Sequence, residues 1–251
     1  MIELEICANS LTSALAAQDG GATRVELCDN LGEGGTTPSY GQIALAKSTL
    51  SIPVFPIIRP RGGDFLYSDL EFELMKADVI ACRTLGCSGV VYGILTPEGR
   101  IDAERCSVLK ELASPMAVAF HRAFDMTISL SESLETLIEI GFVRVLSSGA
   151  APTAIEGAAV LCELIKQAAN RIQVMPGSGI RLENVKELVE TTSAKAVHAS
   201  LLVSMESKMV FKNSRATMGE VKNEYLTLVT STSLVAEVVK VLYCLNNSGD
   251  R

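Results

Sequence analysis

Arg24-Val25-Glu26-Leu27-Cys28-Asp29-Asn30-Leu31-Gly32-Glu33-Gly34-Gly35-Thr36-Thr37-Pro38-Ser39 begins as a strand and breaks into a glycine-rich loop before a helical pattern starts. Val25 and Leu27 alternate with Arg24, Glu26 and Cys28, so one face of the strand is apolar and the other carries charge and a thiol. The first residues repeat the arrangement: in Glu3-Leu4-Glu5-Ile6-Cys7, Leu4 and Ile6 oppose Glu3, Glu5 and Cys7. Two strands thus end in a cysteine on their polar face.

Outward from this pair, strands and helices alternate. Asn9 or Ser10 is placed to cap a helix to about Asp19, which Gly20-Gly21 stop; Pro38-Ser39 open a second helix, and Ser68 a long one through Leu85. Further strands are expected at Pro53–Ile58, Gly89–Tyr92, Met116–Phe120, Phe142–Leu146, Ile172–Met175 and Ala194–His198. Helices are expected from Asp102, over Leu130–Ile140, Ala154–Ala169 and Leu182–Glu190, and last over Ser233–Tyr243. Eight strands alternating with helices predict an α/β fold, a parallel (β/α)8 barrel of TIM type forming one domain over residues 1–251. A doubly wound open sheet is the alternative. The stretch 201–232 is too long for a turn and predicts a hairpin, lid or contact segment; 247–251 are expected to form a loose tail.

With 251 residues, 48% of them hydrophobic, the chain can bury a large core. Its net charge of -7 is spread rather than blocked, which argues against a nucleic-acid partner. No apolar run approaches a membrane span, and the first strand starts at Ile2 without space for a leader, so a cytosolic protein with reduced thiols is expected. The seven cysteines are an odd number, and core packing accounts for most of them.

In such a barrel the strand ends converge on one mouth, here bringing together Cys7, Cys28, Arg59, Arg61, Asp64, His121, Arg122, Asp125 and His198. Cys7 and Cys28 share parity on neighbouring strands roughly 4.8 Å apart, close enough for two thiolates to grip one soft ion. Cu(I) suits such a pair, whereas structural Zn(II) requires His121 or His198 to complete its set; inert buried thiols are the plain alternative. Arg59 and Arg61 can meet an anion, or pair with Asp64, Glu5 or Glu26. Gly177 and Gly179 follow a strand where phosphate cups are built. His121 and Glu26 are candidates for acid/base work, with structural hydrogen bonds and ion pairs as their competing explanation. No nucleophile motif is present.

Four long blocks resemble the copper homeostasis protein CutC family, of the animal type. They are Arg24–Cys28 with Glu33–Ser39, Ile58–Asp69, Phe120-His121-Arg122-Ala123-Phe124-Asp125-Met126, and Met175-Pro176-Gly177-Ser178-Gly179. The resemblance implies a β/α barrel, a homo-oligomer, and intracellular copper handling with Cu(I) on two cysteines, which match Cys7 and Cys28. Two positions depart from the family pattern: Ser178 replaces a glycine, and Ser200-Leu201-Leu202 replaces a Ser-Ala-Arg run, which weakens any anion site shared by all members. Two functions follow as expectations. One is a Cu(I)-binding protein that buffers or transfers copper through Cys7 and Cys28. The other is an enzyme acting on a small anionic metabolite through Glu26, His121 and the ligand-binding set Arg59, Arg61, Arg122, Gly177, Gly179 and His198.

Overall fold

The computed structural model describes residues 2–213, 215–216, 218 and 223–248. Strands β1 (Glu3–Ala8), β2 (Arg24–Leu27) and β3 (Val54–Pro56) pair in parallel with β8 (Ala196–Ala199) in the order β3-β2-β1-β8. A second parallel group holds β4 (Gly89–Tyr92), β5 (Ala117–Phe120), β6 (Arg144–Ser147) and β7 (Gln173–Pro176) in chain order. Single bridges, Ile57 to Val91 and Gly177 to His198, join the groups at both seams. The eight strands therefore close into a barrel in sequence order, and the open sheet is excluded.

Alternation along the strands sorts the side chains. Leu4, Ile6, Val25, Leu27, Val90, Val118, Val145 and Val197 lie in the large core shared with the helices. Opposite parity puts Cys7, Cys28, Phe55, Ile57, Val91 and Ala119 in one separate cluster, and Leu146, Met175 and Ala196 in another, filling the lumen. Each fully buried Leu, Ile or Val contributes about 1.5–3 kcal/mol, which is what holds the outer layer on.

That layer is α1 (Leu11–Asp19), α2 (Tyr40–Thr49), α3 (Asp69–Thr84), α4 (Ala103–Ala113), α5 (Leu130–Ile140), α6 (Ala158–Ala168), α7 (Val185–Thr192) and α8 (Thr232–Ser248). Ser10, Ser39, Ser68, Asp102 and Ser129 each accept a backbone N–H at a helix start, and Ser68 forms a full capping box with Glu71. Two helices begin later than their apolar patterns predict. Before α6 the chain wraps Gly157 so tightly against Ser148 that a Cβ on Gly157 would lie 1.9 Å from the Ser148 carbonyl oxygen. Before α7, the Asn184 side chain accepts from Arg181 N–H and donates to Gly179 O, holding a turn where helix was expected.

Between β8 and α8 stands an antiparallel hairpin, β9 (Leu202–Glu206) with β10 (Leu226–Thr230). Its base is tied to α1, where Thr230 N–H donates to the Ser13 hydroxyl. α8 continues to Ser248 because Leu242 and Leu245 still pack on the core, so residues 247–248 of the expected tail are helical; 249–251 lie outside the described residues. Among the described residues no helix is long and apolar enough to cross a membrane.

Gly89 marks the tightest lumen contact: a Cβ there would lie 2.1 Å from the Phe55 ring and 2.6 Å from the Ala117 carbonyl oxygen. The ring can turn but the carbonyl cannot. Gly89→Ala is expected to cost about 1–3 kcal/mol, read as a lower midpoint in urea with an unchanged slope.

Candidate functional site

Register decides which polar groups meet inside the barrel. Glu5 pairs opposite Arg24 on one side and His198 on the other, and Cys7 pairs opposite Glu26. The buried Glu5 carboxylate accepts from Arg24 Nε at 2.5 Å and bonds His198 Nδ1 at 2.8 Å, while Arg144 Nη1 stands 3.9 Å away. Glu3 lies 3.4 Å from Arg24 and 3.3 Å from Arg144, and Arg144 Nε donates to Gln173 at 2.5 Å. Burial alone would raise the Glu5 pKa; the His198 hydrogen bond and the Arg24, His198 and Arg144 charges outweigh it and hold the carboxyl at about 2. Glu5 is thus an anchor rather than a base.

One layer higher, Cys7, Glu26 and His198 converge, with one ligand atom from each lying within 4.8 Å of the others. His198 Nε2 is 3.7 Å from Glu26 Oε2. Burial lowers the His198 pKa, but Glu5 and Glu26 together win and raise it. Burial raises Glu26, against the pull of His198 and with the added repulsion of Glu5. Among the described residues no arginine lies within ion-pair distance of Glu26, contrary to the ion-pair alternative, although the charge of Arg24 still acts on it; its carboxylate faces the imidazole and the thiol.

Cys7 Sγ lies 3.5 Å from Cys28 Sγ, which in turn points to Ala8 O at 3.6 Å. The hydrogen bond to Cys28, burial, and the negative charge of Cys28 and Glu26 push the Cys7 thiol well up. Cys28 is completely enclosed. Gly35 packs over Cys28 with room for a Cβ, 3.4 Å from that of Cys28; its φ of +90°, in the left-handed region, is what makes the loop after β2 need glycine at this point.

A cavity of about 730 Å³ opens above, with Cys7, Glu26, Arg59, His121, Arg122, Gly179 and His198 in its wall. Cys28 lies behind Cys7 and does not reach the wall; Gly177 serves the seam, where a Cβ would lie 3.2 Å from His198 Cβ. Arg61 is also outside the wall, held by Glu71 at 2.6 Å and Asp64 at 3.0 Å and by the Gly62, Asp64 and Leu66 carbonyls. Arg59 reaches neither Glu5 nor Glu26. Its Nη1 donates to Glu33 O and Gly35 O, and its Nη2 to Gly63 O. Arg122 is pinned by Asp125 at 2.8 Å and Ser148 at 2.7 Å. His121 makes no bond to a carboxylate; Ala123 N–H donates to its Nδ1, and burial and the Arg59 charge hold its pKa at about 3. A neutral imidazole of that kind is a poor proton acceptor near neutral pH.

Residues 2–203 match the CutC family. The chain belongs to the CutC family. A CutC family protein of Chromobacterium violaceum is 51% identical over 240 residues, covering 95% of this chain and 97% of that relative. The human copper homeostasis protein cutC homolog is 47% identical over 234 residues, covering 92% of this chain and 86% of that one. The solved structure of CutC from Streptococcus agalactiae superposes with a TM-score of 0.77 at 38% identity, over 80% of this chain and 99% of that chain.

Two parts of this CutC mouth are not legible in the sequence. Phe65 belongs to no motif of its own, yet its ring lies under the Arg59 guanidinium at 4.9 Å and against His121 at 5.0 Å. Ser147 and Ser148 cradle Asp125 with hydroxyl and backbone donors, at 2.6 Å for the Ser147 hydroxyl. Consecutive serines at a strand end were the available signal, since such residues bond neighbouring loops. At the position where the family pattern has glycine, Ser178 turns its hydroxyl to Pro152 O.

Glu5→Gln leaves Arg24, Arg144 and His198 without their shared anion and is expected to cost about 3–5 kcal/mol near neutral pH. The folded-state pKa of about 2 lies below the ordinary 4.5, so Glu5 stabilises fully above 4.5 and loses that contribution as pH falls through about 2. The stability gap between wild type and Glu5→Gln, measured by denaturant titration, should therefore shrink between those two pH values.

Proposed function

We propose that this CutC family member handles copper by holding Cu(I) between the Cys7 and Cys28 thiolates. The separation of 3.5 Å between the sulfurs is the observation that carries the reading. Metal–thiolate bonds of about 2.3 Å let one ion reach two sulfurs no more than about 4.6 Å apart, so the pair fits without rearranging the strands. Thiolates are soft and favour Cu(I), and a buried two-sulfur site suits buffering or transfer. Copper homeostasis named for the human relative supports the same assignment. Since the Cys7 thiol is raised, the ion must displace protons, and binding should weaken as pH falls.

A mixed set of Cys7, Glu26 and His198 stands beside the sulfur pair, with His198 oriented by Glu5 as outer carboxylates orient metal-binding imidazoles. The two sets predict different variants. Cys162 and Cys244 are the cysteines outside the core and are first replaced by serine to remove stray binding. In anaerobic competition against a Cu(I) chelator, Cys28→Ser should then weaken retention by more than about 100-fold, beyond the 10–100-fold range of an outer-partner loss, and His198→Asn by less. The opposite order would move the ion to the mixed set. The reading includes a homo-oligomer working in the cytoplasm, to which the exposed Val203, Met205 and Leu228 of the hairpin offer an apolar surface; a monomer in analytical ultracentrifugation at micromolar concentration removes that part.

The cavity favours a second reading, because about 730 Å³ is far more than an ion requires. In it, a small anionic metabolite occupies the mouth, with Glu26, whose pKa is raised, as the acid/base group and Arg122 as a cationic contact. Glu26→Gln should keep ligand binding, seen as thermal stabilisation, and lose turnover.

A further inference from the structure

Cys7, Glu26 and His198 stand on three adjacent strands, β1, β2 and β8, and all three line the wall of the cavity. They are buried, and one donor atom from each lies within 4.8 Å of the other two. A sulfur pair that grips Cu(I) needs neither a carboxylate nor an imidazole, so the convergence of both on Cys7 requires its own explanation.

The three donors suit one small cation. Bonds of about 2.3 Å to sulfur and about 2.1 Å to nitrogen or oxygen put the donors of a tetrahedral ion about 3.3–3.6 Å apart. His198 Nε2 and Glu26 Oε2 are 3.7 Å apart. The imidazole is already aimed: Glu5 holds Nδ1 at 2.8 Å and leaves Nε2 as the coordinating nitrogen, the outer-carboxylate arrangement of metal-bound histidines. Glu5 is itself fixed by Arg24 Nε, so the ring cannot turn without breaking an ion pair. Charge balances as well, since a divalent ion offsets one thiolate and one carboxylate while the imidazole stays neutral. A mixed sulfur, nitrogen and oxygen set of this kind fits a borderline ion better than soft Cu(I).

Among the described residues no fourth His, Cys, Asp or Glu joins the group. Cys28 Sγ, although 3.5 Å from Cys7 Sγ, points to Ala8 O behind Cys7 and does not line the cavity. Structural zinc sites are closed by four protein ligands, whereas three ligands beside a cavity leave a position for chemistry. We infer that Cys7, Glu26 and His198 form a site for a divalent cation of the zinc class, with one coordination position open to the cavity for water or for an oxygen of a bound ligand. The site goes beyond the Cu(I) pair and shares only Cys7 with it. It makes Glu26 a ligand, where the small-molecule reading has it as a free acid/base group, and gives that reading a Lewis acid.

Cobalt(II) serves as the probe, added anaerobically to chelator-stripped protein carrying Cys162→Ser and Cys244→Ser. One ion per chain should bind, with a thiolate-to-cobalt charge-transfer band and the intense visible bands of a four-coordinate ion, and zinc(II) should displace it. Azide should shift the visible bands by taking the open position. Glu26→Gln and His198→Asn should each weaken Co(II) by more than about 100-fold, beyond the loss of an outer partner, while Cys28→Ser leaves the spectrum in place. A spectrum lost in Cys28→Ser and kept in Glu26→Gln overturns the inference, as do the weak bands of an ion held by oxygens alone, or no binding at all. Bands indifferent to azide overturn the open position. Should His198→Asn fail to fold, Glu26→Gln and Cys28→Ser decide. Cu(I) retention, read on the same variants, should be lost in Cys28→Ser and kept in Glu26→Gln, so either metal assignment can fall without the other.

Discussion

The charged layer beneath the mouth of this barrel depends on one buried carboxylate. Glu5 receives Arg24, His198 and, at longer range, Arg144, which come from strands β2, β8 and β6. Charges in a lumen lose their hydration, and only close opposite charges and complete hydrogen bonding repay the loss. The arrangement achieves more than neutralisation. By engaging His198 through Nδ1, Glu5 turns Nε2 of the same ring toward Glu26 and Cys7, so the anchor below dictates the orientation of the site above.

Much of this was legible from alternation alone. Leu4 and Ile6 against Glu5 and Cys7, repeated by Val25 and Leu27 against Glu26 and Cys28, fixed which side chains enter the lumen before any contact was known. Parity and a shared strand end also bring Cys7 and Cys28 together, within 3.5 Å. What pattern does not carry is how a long side chain spends its donors. Arg59 and Arg61 flank the same proline, yet Arg59 turns into the mouth and satisfies loop carbonyls while Arg61 turns away to Glu71. His121 and His198 both end strands, but one is held neutral beside an arginine and the other has its pKa raised between two carboxylates. Those outcomes depend on distances between residues far apart in the chain, which spacing cannot supply.

Cys7 belongs to both proposed readings of the mouth. It is the member of the sulfur pair that reaches the cavity, and it is also within ligand distance of Glu26 and His198. The two readings are therefore coupled: removal of the Cys7 proton changes the field at Glu26, whose pKa is already raised by burial and by Glu5.

The two halves of the site differ in how far apart their residues lie along the chain. The sulfurs belong to residues 21 positions apart, whereas Glu5 and His198 are separated by 193. Loop-closure entropy makes the longer encounter costlier by about 2 kcal/mol in an unfolded chain. The residues that carry the thiols are thus both present from early in synthesis, when residues 1–28 have emerged and most of the barrel has not. The imidazole arrives last, with the strand that seals the barrel. A growing chain carries both cysteines long before it carries the histidine that completes the frame around them, so the thiols precede their enclosure by the length of chain between Cys28 and β8.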